Sequence, residues 1–129
     1  MGNTPWLGDA CSLVEEFRAG RRSPVEELEA TLEAVVRSEL NAVCFLDTDR
    51  AREAARTADM SKPFGGVPIG VKELDSVEGW PDTHASVPLR NQVAGHTSIM
   101  VQRLRDLGGG RSEEHTSELQ SRETISYAV

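Results

Sequence analysis

The chain has 129 residues, 38% hydrophobic and 27% charged, enough for one globular domain with a modest core and too polar for a bundle of membrane helices. Acids outnumber bases 21 to 14, a formal charge of -7, which argues against a nucleic-acid partner because such proteins present a face rich in Lys and Arg. The N-terminus MGNTPWLGDA lacks the basic start and apolar run of a secretory signal. No later segment approaches the roughly 20 apolar residues of a membrane span, so a cytoplasmic protein without a membrane partner is expected.

In chain order, Asp9 is placed to cap a helix that carries Ala10, Leu13, Val14 and Phe17 on one face, with Gly20 ending it. Ser23, Pro24 and Glu26 give a second start signal: Ser as N-cap, Pro at the first helical position, and Glu returning to complete a capping box. Val25, Leu28, Leu32, Val35 and Val36 follow at helical spacing, and Asn41 is expected to close this helix in the left-handed region. Residues 42–46 form a short apolar run read as extended. Asp47 or Thr48 then caps a third helix whose inward face is Ala51, Ala54, Ala55 and Ala58, until Lys62, Pro63 and Gly65 break it.

Residues 67–71, VPIGV, are continuously apolar between Gly66 and the charged Lys72 and Glu73, which predicts a strand covered on both faces, with Pro68 near its start. Residues 75–95 are rich in Pro, Gly, Asp and Ser and read as a long irregular loop, a length that compact domains reserve for function. Thr97 opens a last helix through Leu107, with Ile99, Met100, Leu104 and Leu107 as its apolar side, and Gly108 to Gly110 read as its C-terminal cap. The fold class expected is α/β, with helices packed on a mixed sheet that this stretch leaves incomplete, since one strong strand has no visible sheet partner. Uncovered helix faces and low stability are expected to follow.

Cys11 and Cys44 form no CxxC pair and have no histidine set nearby, so both are expected to be buried thiols with no metal or disulfide role. No cofactor is expected. His84 is a loop histidine without an acid partner at a motif spacing, and loop ordering is the role expected for it.

The stretch Gly65-Gly66-Val67-Pro68-Ile69-Gly70-Val71-Lys72-Glu73 resembles the lysine strand of the amidase signature family, a G-V-P-[IV]-x-V-K-[DE] motif. The flanks are similar too: LVEEFRAGRRSPVEELEATLEAVV and LNAVCFLD upstream resemble the family's paired N-terminal helices, and VQRLRDLGG downstream its next helix. Residues 79–86 resemble the family's loop after the lysine, with Asp82 and His84 in place of the more usual small or hydroxyl residues. The resemblance covers residues 8–109 and implies that residues 1–110 are the N-terminal part of an amidase domain.

It further implies that Lys72 is the lysine of a Ser, cis-Ser, Lys triad that hydrolyses a small-molecule carboxamide through an acyl-serine. A lysine acting as base must be neutral, and burial favours the neutral amine by desolvating the ammonium, so Lys72 is expected to be buried at its strand's end. Alternation sends Glu73 to the opposite face. Ser76, Thr83, Ser86 and Ser98 do not sit in the Gly-Ser-Ser-Gly-Gly type segment that carries the family's serines, and no such segment precedes Gly110. The chain by itself is therefore expected to be inactive. Lys-Glu-Leu at residues 72–74, where amidotransferase A-type subunits more often show Lys-Asp-Asn, favours a free-standing amidase over a glutamyl- or aspartyl-tRNA amidotransferase component; a non-catalytic interaction module is the third alternative.

Residues 111–121 and 125–129 are similar to the translation of a widely used short-read sequencing adapter. The whole of 111–129 is accordingly expected to be an unstructured artefact of assembly, and His115, Glu113 and Glu114 are not read as a site.

Overall fold

The computed structural model describes residues 4–108 and the pair Tyr127–Ala128. Its first helix, α1 (Ala10–Arg18), begins where Asp9 accepts a hydrogen bond from the Ser12 backbone N–H at 2.7 Å. It ends in a Schellman motif: the Gly20 N–H donates to the Phe17 carbonyl and the Arg21 N–H to that of Glu16, while Gly20 takes a φ of 71°. Helix α2 (Pro24–Arg37) carries both halves of the expected capping box, with Glu26 N–H to Ser23 Oγ at 3.1 Å and Ser23 N–H to Glu26 Oε2 at 2.7 Å. Asn41 does adopt the left-handed region, at φ 50°, but α2 already stops at Arg37 with Ser38 extended, so Asn41 bends the connection and does not cap the helix.

Strand β1 (Phe45–Leu46) leads into α3 (Thr48–Arg56). Helices α2 and α3 form a hairpin in which Leu28 and Leu32 pack on Ala51 and Ala55, with Val25 and Leu46 at the edge. The small alanines let the helices approach closely, and Arg52 ties the hairpin's rim to Glu29 at 2.6 Å. Val36, expected on the inward face, is exposed, because it lies in the last turn beyond the reach of α3. Ala58 lies past the helix end and is half-buried.

The N-terminal segment is held to this hairpin by a buried acid. Glu27, 4% exposed, accepts from the Trp6 N–H at 3.0 and 3.2 Å and pairs with Arg22 Nε at 2.6 Å, while Arg22 Nη2 donates to the Thr4 carbonyl at 2.7 Å. Such a carboxylate is tolerated inside only because its charge is opposed and its lone pairs are occupied.

A second apolar cluster joins Val71, Val77, Trp80 and Val101, with Phe45 and Ile69 against it. The two residues of β1 therefore serve two clusters, Leu46 the hairpin and Phe45 the second, as the two-residue period of an extended chain dictates. The Phe45 and Trp80 rings lie 5.4 Å apart at 58°. Trp80 Nε1 donates to Asp47 Oδ2 at 3.0 Å, which explains why Asp47, though N-cap of α3, makes no side-chain cap bond. Residues 75–95 are thus not a loose loop. Their ends meet at the Pro81–Val93 bridge, with Gly79 N–H to Ala94 O and Ala94 N–H to Trp80 O both at 2.9 Å, and a 3-10 turn at Val87–Leu89 closes the tip.

Helix α4 (Ile99–Gly108) runs beside residues 64–76: the N–H groups of Phe64 and Gly66 satisfy the carbonyls of Leu107 and Gly108, and Ser98 N–H donates to Ser76 O at the other end. It buries Val101 and Arg105, not the side anticipated. Ile99, Met100, Leu104 and Leu107 are between 38% and 74% exposed, while Arg105 is 1% exposed with Nη1 3.5 Å from Thr97 Oγ1. The strand expected at residues 67–71 is absent: among the described residues no strand pairs with it, and it passes along α4 as an irregular segment. Strands exist by pairing, and the described two-stranded sheet is β1 with β2 (Tyr127–Ala128), antiparallel, with Phe45 opposite Ala128. Among the described residues this is an α/β arrangement with four α-helices and no complete sheet. Of the tail read as unstructured, residues 111–126 and 129 lie outside the described residues; Tyr127–Ala128 form β2, a backbone pairing that any sequence can make with an open edge. Gly109 and Gly110 also lie outside the described residues. Cys11 and Cys44, expected buried, are exposed: Cys11 points away from the α1 face of Leu13, Val14 and Phe17.

Truncating Trp80 to Ala should cost about 3–5 kcal/mol and Trp80→Phe about 1–3 kcal/mol, the latter through loss of the indole donor to the Asp47 carboxylate, which keeps Arg50 Nε at 3.6 Å; urea unfolding followed by circular dichroism reads both. Asp9 is held below the usual carboxylate range by the Ser12 N–H and hydroxyl, so its contribution is complete above the ordinary value of 3.8 and is lost as pH falls through the lowered one. An acid titration of helical signal should accordingly show Asp9→Asn less acid-sensitive than the parent.

Candidate functional site around Lys72

Entry to the lysine segment is set by two glycines. A Cβ on Gly65 would lie 2.0 Å from the Asp59 carbonyl oxygen, and one on Gly66, at φ 83°, would lie 2.5 Å from Pro24 Cγ. The turn that launches residues 67–72 can therefore press against both α2's first turn and the end of the α3 connection only with glycine at both positions.

Val71 turns into the second cluster and is 5% exposed, and the next side chain, Lys72, turns outward. Lys72 is exposed, which corrects the expectation of a buried lysine. Burial was inferred from a strand with neighbours on both sides, and among the described residues none is present. The Lys72 carbonyl accepts from the Asp75 N–H at 2.8 Å, so the lysine heads a tight turn spanning residues 72–75. Glu73 points back and accepts from the Thr83 hydroxyl.

The hydroxyls near this turn hold structure. Ser76 Oγ donates to Asp82 Oδ1 at 3.2 Å, and Ser98 Oγ accepts from the Val101 N–H at 3.4 Å. Thr97 Oγ1 accepts from the Glu78 N–H at 3.1 Å, and Ser86 N–H donates to Thr83 O. Among the described residues no hydrogen bond joins any of these hydroxyls to the Lys72 side chain.

Two features were missed in the sequence. His84 does have an acid partner: its Nε2 lies 3.2 Å from Asp82 Oδ1, and Asp82 is 6% exposed. Spacing rules for helices and strands do not flag residues two apart in a loop. His84 and Ala85 also both adopt positive φ, 48° and 54°, a conformation costing non-glycine residues on the order of 1–3 kcal/mol each and persisting only where the surroundings impose it.

An open groove of about 910 Å³ lies elsewhere, along α2, between Arg21, Val25, Glu29, Val36 and Arg52, and contains no residue of the lysine turn. Among the described residues no group of His, Cys, Asp and Glu could hold a metal ion, and no helix is long and apolar enough to cross a membrane.

Comparison with known proteins bears on this geometry directly. The Amidase family profile matches residues 26–110, which include the glycine pair, Lys72 and α4. The chain is 30% identical over 116 residues to an acylamidase of Rhodococcus erythropolis, covering 83% of this chain and 24% of that protein. It is 34% identical over 115 residues to an amidase of Pseudomonas putida, covering 80% and 24%. It is 36% identical over 88 residues to the A-type subunit of the glutamyl-tRNA(Gln) amidotransferase of Methylacidiphilum infernorum, covering 67% of this chain and 18% of that one. The chain thus spans about a quarter of the length of these relatives or less. With the match extending through both the helical hairpin and the lysine segment, the chain belongs to the amidase family.

Proposed function

We propose that Lys72 is the general base of an amidase that cleaves a small carboxamide through an acyl-serine intermediate, and that the two serines it serves lie in sequence beyond this chain. The observation that carries the reading is the filled lysine motif from Gly65 to Glu73, inside the matched family region. Relatives named acylamidase and amidase support the same reaction class. In this mechanism the neutral amine takes a proton, through a bridging serine, from the nucleophilic serine. That serine attacks the amide carbonyl, backbone N–H groups stabilise the oxyanion, and water later releases the acid. The exposed Lys72 of this chain would acquire the burial that keeps it neutral when the remainder of the domain covers the segment.

The second reading, an A-type amidotransferase subunit, is favoured by relatives so named, one of them 42% identical over 77 residues. Glu73-Leu74 in place of Asp-Asn weighs toward a free-standing amidase. A non-catalytic interaction module is the third reading. It would require an uninterrupted gene that stops after α4 and not one that resumes with a Gly-Ser-Ser-Gly-Gly segment. We further infer that residues 111–129 are translated adapter, and that the natural protein is cytoplasmic and acts without a cofactor. Sequencing the locus should return codons unlike the adapter after residue 110; a native gene encoding residues 111–129 would sink that inference.

The protein expressed from the uninterrupted frame should hydrolyse a simple aliphatic or aryl amide, and Lys72→Ala should lower kcat/KM by about 10²–10⁴-fold. Ammonia release measures both. The 129-residue chain alone should show no serine-dependent turnover, since a base without a nucleophile forms no acyl intermediate. Normal turnover by full-length Lys72→Ala would remove the lysine from the mechanism.

A further inference from the structure

The lysine turn is gripped by the loop that follows it. Asp82 is the centre of that grip. Its carboxylate is buried, 6% exposed, and its oxygens are divided among three donors: Ser76 Oγ at 3.2 Å and His84 Nε2 at 3.2 Å on Oδ1, and Gln92 Nε2 at 3.4 Å on Oδ2. The Asp82 N–H donates to the Gln92 carbonyl at 2.9 Å, which locks the carboxylate to the returning arm of the loop. Ser76 is the first residue after the Lys72–Asp75 turn, and its carbonyl receives the Ser98 N–H that starts α4. One residue beyond Asp82, the Thr83 hydroxyl donates to Glu73, the residue after the lysine. Residues 73 and 76, one within the turn and one just after it, are therefore both held by consecutive residues of a loop whose own backbone is forced into the left-handed region at His84 and Ala85.

We propose that Asp82 is a positioning residue for Lys72: through Ser76 it fixes the turn from which the lysine projects, and through His84 it holds the strained loop segment that supplies the second grip at Glu73. A buried carboxylate suits this task because its two oxygens can accept several donors at once, and the orphaning of any of them inside the protein is costly. Thr83 alone could not do this, since one hydroxyl gives the turn a single pivot. The proposal rests on the amidase reading only for the catalytic meaning of Lys72; the geometry it asserts belongs to this chain.

The test uses the 129-residue chain, in which Lys62 and Lys72 are the only two lysines. Reductive methylation with ¹³C-formaldehyde labels both, and Lys62 serves as an internal control. In Asp82→Ala and in Ser76→Ala the Lys72 dimethylamine resonance should shift or broaden while that of Lys62 stays in place. Hydrogen exchange of the Asp75 amide should accelerate at least tenfold, with Leu28 and Leu32 in α2 unchanged. Asp82→Asn, which keeps an acceptor for Ser76, should restore most of the parent Lys72 signal. If Asp82→Ala does not fold, Ser76→Ala decides the matter, because it removes one donor from the surface of the grip and leaves the acid in place. A Lys72 signal and Asp75 exchange rate unmoved in Ser76→Ala would overturn the proposal. So would equal movement of both lysines, or an Asp82→Asn variant as disturbed as Asp82→Ala. Absence of amidase activity in the full-length protein would leave these readouts unaffected, so the two ideas fail separately.

Discussion

Trp80 is the contact on which the described structure depends. Its ring packs on Phe45 and its indole N–H reaches Asp47, so one side chain joins the loop at residues 75–95 to the start of α3. Without it the hairpin of α2 and α3 would keep its own small cluster of Leu28, Leu32, Ala51 and Ala55, but Val71 and Val77 would have little to pack on. The placement of the lysine segment follows from this, because Val71 buried against Trp80 and Val101 is what sends the next side chain, Lys72, outward. An indole is suited to the role: it supplies a large apolar area and a single donor that must find a partner when buried.

The same core explains which faces are left open. Helix α4 contributes Val101 and Arg105 inward and leaves Ile99 and Met100 more than half exposed, with Leu104 and Leu107 at 38% and 43%. Lys72 is exposed in the same sense, next to the buried Val71. The chain spans about a quarter of the length of its acylamidase and amidase relatives. Exposed apolar side chains such as Ile99 and Met100 favour self-association. The tight turn at Lys72 is closed by the Asp75 N–H and held through Ser76 and Glu73 by Asp82 and Thr83.

Helix starts were legible where their chemistry is local. The reciprocal Ser23 and Glu26 capping box and the one-way Asp9 cap are bonds within three residues, and Gly20 ends α1 because only glycine enters the left-handed region without cost. The lysine motif was equally legible, since it is a contiguous string and the family match includes it. What failed were inferences about neighbours. Residues 67–71 have the composition of a buried strand, but composition cannot supply the partner strand that makes one. The apolar side of α4 was named from period alone, and the period does not say which side meets the core; Arg105 went inside instead, with Thr97 against it.

By itself the sequence determined the starts of α1, α2 and α3, the glycine pair, the position of Lys72 and the family, because each is written in residues close along the chain. Only the tertiary structure decided that Trp80 anchors the loop, that Glu27 is a buried acid holding the N-terminus, that Asp82 and His84 pair, and that Lys72 faces solvent. Those outcomes depend on contacts between residues brought together by folding, whether two positions apart across a strained turn or more than twenty apart along the chain. No local periodicity or capping rule encodes where such side chains meet.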